Sequence, residues 1–338
     1  MSWTFARMME LATGYWSSAA LNAAVELGVF ECLSERPRTA SEVAGHLGLS
    51  PRTTADLLGV LRGLGLLEEE GGRYSIASGV ARFLRADGEC CLLDALRFNR
   101  DLYHVWGRLP DALRSGTAAV PPQAHLGEDA ERTRRFVQGM HSRALAMMEA
   151  VVPVIRVPTQ GVLLDLGSGP GTFSRRLAEL HPSLRVTLFD LPAVLDIARE
   201  LSRASPAADR LAYHAGDYRR DPLPHPVDAI LFCGALHQET ETSALDVFGR
   251  AREALRPGGT LTVIDLMLDA DRSQPVFAAL FSLNMKLFNP ESGVFEVPRV
   301  AALLEKAGLR VDQTRALANL PYRAVTAIRG PADPLPHA

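Results

Sequence analysis

The chain has 338 residues, 47% of them hydrophobic, and a formal net charge of −3 at pH 7. This length and apolar content exceed what one core of ordinary size requires, so we expect two domains. The pI is near 6.3, whereas proteins that bind nucleic acid or anionic membranes usually carry an excess of basic residues. We therefore expect neither partner.

The cysteines and the N-terminal residues bear on location. Cys32, Cys90, Cys91 and Cys233 have spacings typical of neither a disulfide framework nor a metal site, so we expect a reducing compartment and no metal. The N-terminal residues contain no charged segment leading into a long apolar stretch, and no run of about 18 apolar residues occurs in the chain. The expected location is cytoplasmic.

Helices are predicted throughout the N-terminal part of the chain. Apolar residues at helical spacing over 5–35 indicate two short helices, with Gly28 as the C′ glycine between them. Ser50 and Pro51 begin a later helix as N-cap and first residue, and residues 70–73, Glu-Gly-Gly-Arg, predict a hairpin turn. Helix, turn, helix and hairpin is the order of elements in a winged helix.

Residues 90–150 have a helical pattern, interrupted only by a predicted surface loop at 115–127. The spacing of apolar residues changes after this stretch. Short leucine-rich or β-branched runs then alternate with helical segments. The runs cover 161–167, 185–191, 211–217, 228–234, 260–268, 309–317 and 323–330. This alternation predicts an α/β fold with a parallel, doubly wound sheet and antiparallel additions at its end. Ligands of such sheets bind at the carboxyl ends of the strands.

A glycine-rich segment follows the first of these runs. Gly167, Gly169 and Gly171 allow a tight turn and a close approach of the backbone to a ligand. The dinucleotide fingerprint requires its third glycine at position 172, where the chain has Thr172, so the spacing argues against NAD. The alternative is an ordinary strand-to-helix turn in which the glycines serve packing.

Acidic residues near the strand ends favour a particular nucleoside ligand. Asp165, two residues before Gly167, suits a ligand that carries an amino group. Asp190 ends the next run, 23 residues after Gly167, where a carboxylate accepts from ribose hydroxyls. A ribose together with an ammonium group indicates S-adenosylmethionine as the cofactor.

Longer segments of the chain resemble a known enzyme family. In chain order, LLDLGSGPGTF, LFDLPAVLDIAR, HAGDY, LFCGALH and AREALRPGGTLTVIDLML resemble the S-adenosylmethionine-dependent O-methyltransferases of the plant caffeate and bacterial natural-product type. GYWSSAALNAAVELGVF and the segment through GGRYSIAS are similar to the N-terminal dimerisation domain of that family. The resemblance implies a Rossmann-like class I methyltransferase sheet and a homodimer formed through the N-terminal domain.

The resemblance also implies roles for single residues. Gly167 would contact the amino-acid part of the cofactor, Asp190 the ribose, and Asp217 and Tyr218 the adenine. Cys233 occupies a place where plant members have a lysine, which leaves its cofactor contact open. The remaining members of the predicted cofactor set are Asp165, Gly169, Gly171 and Leu191.

His237 stands where the family has its general base. An imidazole with its unperturbed pKa of about 6.5 is a proton acceptor at physiological pH. Asp265 matches the place of an acid that orients this histidine, or it caps the next segment. Two departures from the family are Gln238 and Glu239, which replace an acid and a large aromatic, and an apolar Val294 where a second acid is expected. Whether Glu296 takes over from that acid is open.

The substrate is predicted from composition. Phe136 and Met140 on one helix, and Phe281, Asn284 and Phe288 on another, suggest an apolar pocket for a hydroxylated aromatic or polycyclic molecule. Each of these residues alone could equally belong to the core. Relatives on this scaffold also methylate carbon or use the cofactor without methyl transfer, so O-methylation is the leading interpretation and these remain alternatives.

A winged helix can also read DNA. The helix expected to do so has only Arg52 and Arg62 against Asp56, and residues 68–70 next to the hairpin turn are all glutamate. Phosphate contacts dominate DNA affinity, so a DNA-binding regulator is the less favoured alternative.

Four regions are predicted. They are a helical winged-helix dimerisation domain at 1–100, a helical connector lining the active site at 101–150, a methyltransferase domain at 151–330 and a flexible tail at 331–338.

Overall fold

The computed structural model describes residues 2–120 and 129–331. The chain divides into two compact units between Tyr103 and His104. Most of the predicted loop at 115–127 and of the predicted tail at 331–338 lies outside the described residues. Within the described part, no helix is long and apolar enough to cross a membrane.

The first unit is helical and carries one hairpin. Its helices are α1 Phe5–Glu26, α2 Val29–Glu35, α3 Ala40–Leu47, α4 Pro51–Gly63, α5 Ala81–Leu84 and α6 Leu93–Trp106, whose last residues belong to the second unit. Gly28, with φ of +76°, separates α1 from α2 as predicted, but α1 has 22 residues and is not the short helix expected. Strands β1 Leu67–Glu70 and β2 Arg73–Ile76 pair antiparallel across Gly71 and Gly72, which confirms the predicted turn.

The second unit contains an α/β sheet. Its helices are α7 Leu109–Ser115, α8 Ala130–Val151, α9 Thr172–Leu180, α10 Pro192–Ser202, α11 Glu241–Ala254, α12 Val276–Lys286 and α13 Val297–Lys306. Its strands are β3 Gly161–Leu166, β4 Leu184–Asp190, β5 Leu211–Ala215, β6 Val227–Cys233, β7 Leu255–Leu266, β8 Leu309–Ala316 and β9 Tyr322–Arg329.

The order of these strands is β5-β4-β3-β6-β7-β9-β8. The first five are parallel, and β9 pairs antiparallel with both β7 and β8. All seven predicted strands and the antiparallel additions are therefore confirmed. Because β3 pairs with both β4 and β6, the strand order reverses at β3, and this is where such sheets bind their ligands.

Burial on both faces explains the continuous apolar runs. In β3, Leu164 and Leu166 pack into one core cluster with Phe232 and Phe248, while Leu163 packs into a second cluster. Side chains alternate between the faces of a strand, so both faces of β3 need apolar residues. The strand ends are thereby held in place by packing on two sides.

Candidate active site

The loop after β3 depends on its glycines. Gly167, Gly169 and Gly171 have φ of +66°, +52° and +66°, a region that other residues rarely adopt. A Cβ at Gly167 would lie 3.2 Å from Cε1 of Tyr218, and one at Gly171 would lie 2.6 Å from Cδ1 of Leu188. Both conformation and close packing therefore require glycine here.

Asp190, the last residue of β4, braces this loop. Its Oδ2 accepts from the N–H of Gly169 at 2.7 Å, and its Oδ1 accepts from the N–H of Leu191 at 2.7 Å. Burial raises the pKa of Asp190 to about 6. Burial also raises the pKa of Asp165, in β3, to about 7, and the negative charge of Asp190 adds to that rise. A cation or a set of hydrogen-bond donors nearby would stabilise both ionised carboxylates.

The loop after β5 is held by its own carboxylates and by α11. Oδ1 of Asp217 accepts from the N–H of Arg219 at 3.0 Å, and the N–H of Asp217 donates to Oδ2 of Asp221 at 2.7 Å. Arg250 on α11 donates to the carbonyl oxygens of Tyr218 and Asp221. The backbone on either side of Tyr218 is thus fixed from a neighbouring helix.

His237 lies in a short 3₁₀ turn, Leu236–Gln238, that follows β6. Its Nδ1 is 2.9 Å from Oδ1 and 3.1 Å from Oδ2 of Asp265, and its backbone N–H donates to the same carboxylate at 3.1 Å. The Asp265 side chain is 1% exposed, and the N–H of Leu266 donates to its Oδ1. Because the Asp265 carboxylate accepts a hydrogen bond from Nδ1, a neutral imidazole carries its proton on Nδ1. Nε2 is then unprotonated and can accept a proton.

Phe281 lies next to this pair. Its ring meets the His237 ring edge-on, with centroids 4.9 Å apart and an interplanar angle of 86°. Asp265 on one side and Phe281 on the other restrict the orientation of the imidazole. The arrangement can take a proton from a group presented to Nε2.

Two family profiles match the chain. A family profile described as the O-methyltransferase domain matches residues 106–310, and one described as the O-methyltransferase dimerisation domain matches residues 9–86.

The chain belongs to the S-adenosylmethionine-dependent O-methyltransferase family. The resemblance found in the sequence is thereby confirmed.

Individual relatives cover almost the whole of this methyltransferase. The N,N-dimethyltransferase OxyT of Streptomyces rimosus is 33% identical over 321 residues, which are 93% of this chain and 93% of that protein. The tetracenomycin polyketide synthesis 8-O-methyl transferase TcmO of Streptomyces glaucescens is 30% identical over 320 residues, 92% of this chain and 93% of that protein. The crystal structure of human N-acetylserotonin methyltransferase in complex with SAM has a TM-score of 0.88 and 27% identity, covering 98% of this chain and 99% of that one.

Two positions that depart from the family pattern have defined surroundings in this methyltransferase. Burial raises the pKa of the Cys233 thiol well above its usual range, and the charges of Asp165 and Asp265 add to the rise. Cys233 is therefore neutral and does not supply the positive charge of a lysine. Glu296 accepts from Arg272.

The residues predicted for the substrate have different neighbours. Phe136 on α8 packs with Val194 and Ile197 of α10. Phe281 packs in a cluster with Val294, the position where an acid was expected. Of the other three predicted residues, Met140 and Asn284 are partly exposed and Phe288 is buried.

Sequence reasoning missed several contacts of the site. Nε1 of Trp106 donates to Oδ1 of Asn284 at 2.9 Å across 178 residues of chain. Nδ1 of His141 lies 2.8 Å from Oγ1 of Thr172, at the start of α9. No periodicity or motif signals such long-range polar pairs. Glu239 was noticed as a departure, but its inward direction was not predicted.

Tyr322 on β9 also escaped prediction. It packs against the cluster that contains Phe281 and the one that Cys233 contacts. Burial raises the pKa of Tyr322 well above its usual range, the charge of Asp265 adds to the rise, and Arg143 opposes it. Tyr322 therefore stays a neutral phenol. Among the described residues, no group of three His, Cys, Asp or Glu side chains could hold a metal ion.

Proposed function

We propose that this enzyme methylates a hydroxyl group on an aromatic or polycyclic small molecule, with His237 as the general base and Asp265 as its orienting acid. The observation that carries the proposal is the 2.9 Å contact between Nδ1 of His237 and the buried carboxylate of Asp265. TcmO, whose name describes an 8-O-methyl transferase of polyketide synthesis, supports this substrate class.

The residues at the strand ends fit the cofactor. Asp190 would accept from the ribose hydroxyls, Asp165 would pair with the amino group, and Asp217 and Tyr218 would flank the adenine. Oγ of Ser168 is buried within the glycine loop without a hydrogen-bond partner among the described residues, so a polar ligand at this loop would satisfy it. S-adenosylmethionine supplies an electrophilic methyl group on a sulfonium.

The protein's part in the reaction is to orient the acceptor and remove its proton. Nε2 of His237 accepts the hydroxyl proton, and Asp265 stabilises the imidazolium that forms. General-base catalysis of this kind contributes about 10²–10⁴-fold. Most of the remaining acceleration comes from alignment of the two reactants, where effective molarities reach about 10⁵–10⁸ M.

Asn284 adds a polar feature to the acceptor side. The indole N–H of Trp106 is a donor only, so its bond to Oδ1 fixes which end of the Asn284 amide faces it. The Nδ2 hydrogens would then donate to an oxygen of the acceptor molecule. Phe281, three residues earlier on α12, would contact its ring. Phe136, Met140 and Phe288 remain predicted lining residues.

An amine acceptor is the second candidate. The name of OxyT, an N,N-dimethyltransferase, favours it. A neutral amine attacks without losing a proton first, so nitrogen methylation requires His237 less than phenol methylation does.

The test compares kcat of wild type and His237→Ala on a panel of phenols and matched anilines. With a phenol, His237→Ala should lower kcat by about 10²–10⁴-fold with little change in cofactor affinity, and with an aniline the loss should be smaller. His46→Ala, which removes an exposed histidine on α3, is the control. Full activity of His237→Ala on the phenol would remove His237 as the base.

We further infer a homodimer through the N-terminal domain. Helix α1 exposes large apolar side chains, including Phe5 at 82% and Trp16 at 62%. Exposure of several large apolar side chains on one helix is unfavourable in water, and burial against a second copy would remove them from water. The match of residues 9–86 to a dimerisation domain supports this assembly.

A further inference from the structure

Glu239 is a buried carboxylate directly beyond the turn that carries His237. Its side chain is 1% exposed. Oε1 accepts from the hydroxyl of Tyr218 at 2.7 Å and from Nε of Arg219 at 2.8 Å. A buried charge is costly unless it is paired and hydrogen-bonded, and these two donors provide both conditions.

The hydrogen bond from Tyr218 restrains a ring that contacts the glycine loop. A Cβ at Gly167 would lie only 3.2 Å from Cε1 of Tyr218. The Tyr218 ring also packs edge-on against Phe232, with ring centroids 5.5 Å apart. Arg250 holds the carbonyl oxygen of Tyr218. Three separate parts of the fold therefore restrain Tyr218. Arg250 on α11 holds its backbone, Phe232 on β6 packs against its ring, and Glu239 accepts from its hydroxyl.

Arg219 is the second donor to Glu239. Its side chain is about half exposed, and its guanidinium lies 5.7 Å from the Tyr218 ring centroid. The ion pair with Glu239 fixes its Nε toward the protein interior. Burial and the charge of Glu239 raise the pKa of Tyr218 well above its usual range, so the phenol stays a hydrogen-bond donor.

We propose that Glu239 is a positioning residue that shapes the adenine end of the cofactor site by holding Tyr218 against the glycine loop and by fixing Arg219 in an ion pair. This rests on the proposed contact between Tyr218 and the adenine. Since adenosine is common to S-adenosylmethionine and S-adenosylhomocysteine, Glu239 sets the affinity for both and takes no part in the methyl transfer step.

The test measures cofactor affinity by calorimetry and kinetics in four single variants and one double variant. Glu239→Ala should weaken binding of S-adenosylmethionine, S-adenosylhomocysteine and adenosine by a similar factor of about 10-fold or more, the range expected for loss of a charged hydrogen-bond partner. KM for the cofactor should rise, while kcat at saturation and its pH profile stay close to wild type. Glu239→Gln, which retains an acceptor for Tyr218, should recover part of the affinity.

Tyr218→Phe keeps the ring and removes only the hydroxyl, so it tests the proposal even if Glu239→Ala does not fold. It should weaken cofactor binding by several-fold, and Glu239→Ala should add less in the Tyr218→Phe background than in wild type. Glu241→Gln is the control, because this exposed glutamate pairs with Arg299 on the surface.

Wild-type affinity in both Glu239→Ala and Tyr218→Phe would overturn the proposal. A loss of kcat with an altered pH profile, as in His237→Ala, would also overturn it, because Glu239 would then act through the turn on His237. These results differ from failure of the proposed function, in which wild-type enzyme binds the cofactor but transfers no methyl group to hydroxylated aromatics.

Discussion

Asp190→Asn separates cofactor recognition from fold stability. In the structure each carboxylate oxygen of Asp190 accepts a backbone N–H at 2.7 Å, from Gly169 and Leu191. The asparagine amide has one acceptor oxygen, so its NH₂ group must face one of these N–H donors. The ribose hydroxyls would donate to the same carboxylate, and replacing this charged acceptor by a neutral amide should cost the bound cofactor about 1.5–3 kcal/mol, which corresponds to about 10- to 150-fold in affinity.

The same substitution should change the stability of the free enzyme little. Burial raises the pKa of Asp190 to about 6, which means that its ionised form is less favourable in the folded chain than in the unfolded chain. Removing this charge therefore offsets part of the lost hydrogen bonding. We expect calorimetry to show S-adenosylmethionine binding weakened by at least about tenfold, with a much smaller change in the thermal midpoint of the free protein.

The matched control is Asp196→Asn. Asp196 lies on α10, six residues later, and forms an exposed pair with Arg199. This variant has the same change in charge and should bind the cofactor as wild type does. If Asp190→Asn retains wild-type affinity, or if Asp196→Asn loses as much, the assignment of Asp190 to the ribose is refuted.

Two further predictions concern proton linkage and assembly. The pKa values of Asp165 and Asp190, about 7 and about 6, lie above the usual carboxyl range. Between about pH 4 and pH 7 the folded chain therefore binds more protons at these groups than the unfolded chain does, so they lower the free energy of unfolding of the free enzyme as the pH rises. Binding of S-adenosylhomocysteine favours their ionised forms and should release protons near pH 6, which calorimetry in buffers of different ionisation enthalpy detects; no release would contradict the assignment. In sedimentation experiments the double variant Phe5→Glu/Trp16→Glu should be a monomer, whereas wild type should have twice the chain mass of 36.7 kDa. The control Leu113→Glu, on α7, should remain a dimer. A wild-type monomer at micromolar concentration would contradict the proposed dimer.

The fold was largely predictable because its signals are local. Alternating apolar runs and helical segments predicted all seven strands of the sheet, and Gly71 and Gly72 predicted the hairpin turn. Each of these signals acts over a few residues through burial or backbone conformation. The residue at which the chain divides, Tyr103 near the end of α6, has no such signal in the sequence.

The candidate site was predictable only in part. His237 and Asp265 could be expected near each other because they follow or end β6 and β7, which are neighbours in the sheet. The bond between Trp106 and Asn284 joins residues far apart in the chain, and the inward direction of Glu239 depends on the turn after β6. Such contacts follow from the packing of several elements at once, so no single segment of sequence encodes them.

The most direct test of the central claim is transfer of a labelled methyl group. The enzyme is incubated with S-adenosylmethionine carrying a CD₃ group and with hydroxylated aromatic polyketides, and the product is analysed by mass spectrometry and NMR. We predict an O–CD₃ ether on the aromatic acceptor, with His237→Ala forming it about 10²–10⁴-fold more slowly. Label on carbon or nitrogen of these acceptors, or ether formation at the wild-type rate by His237→Ala, would contradict the proposed mechanism.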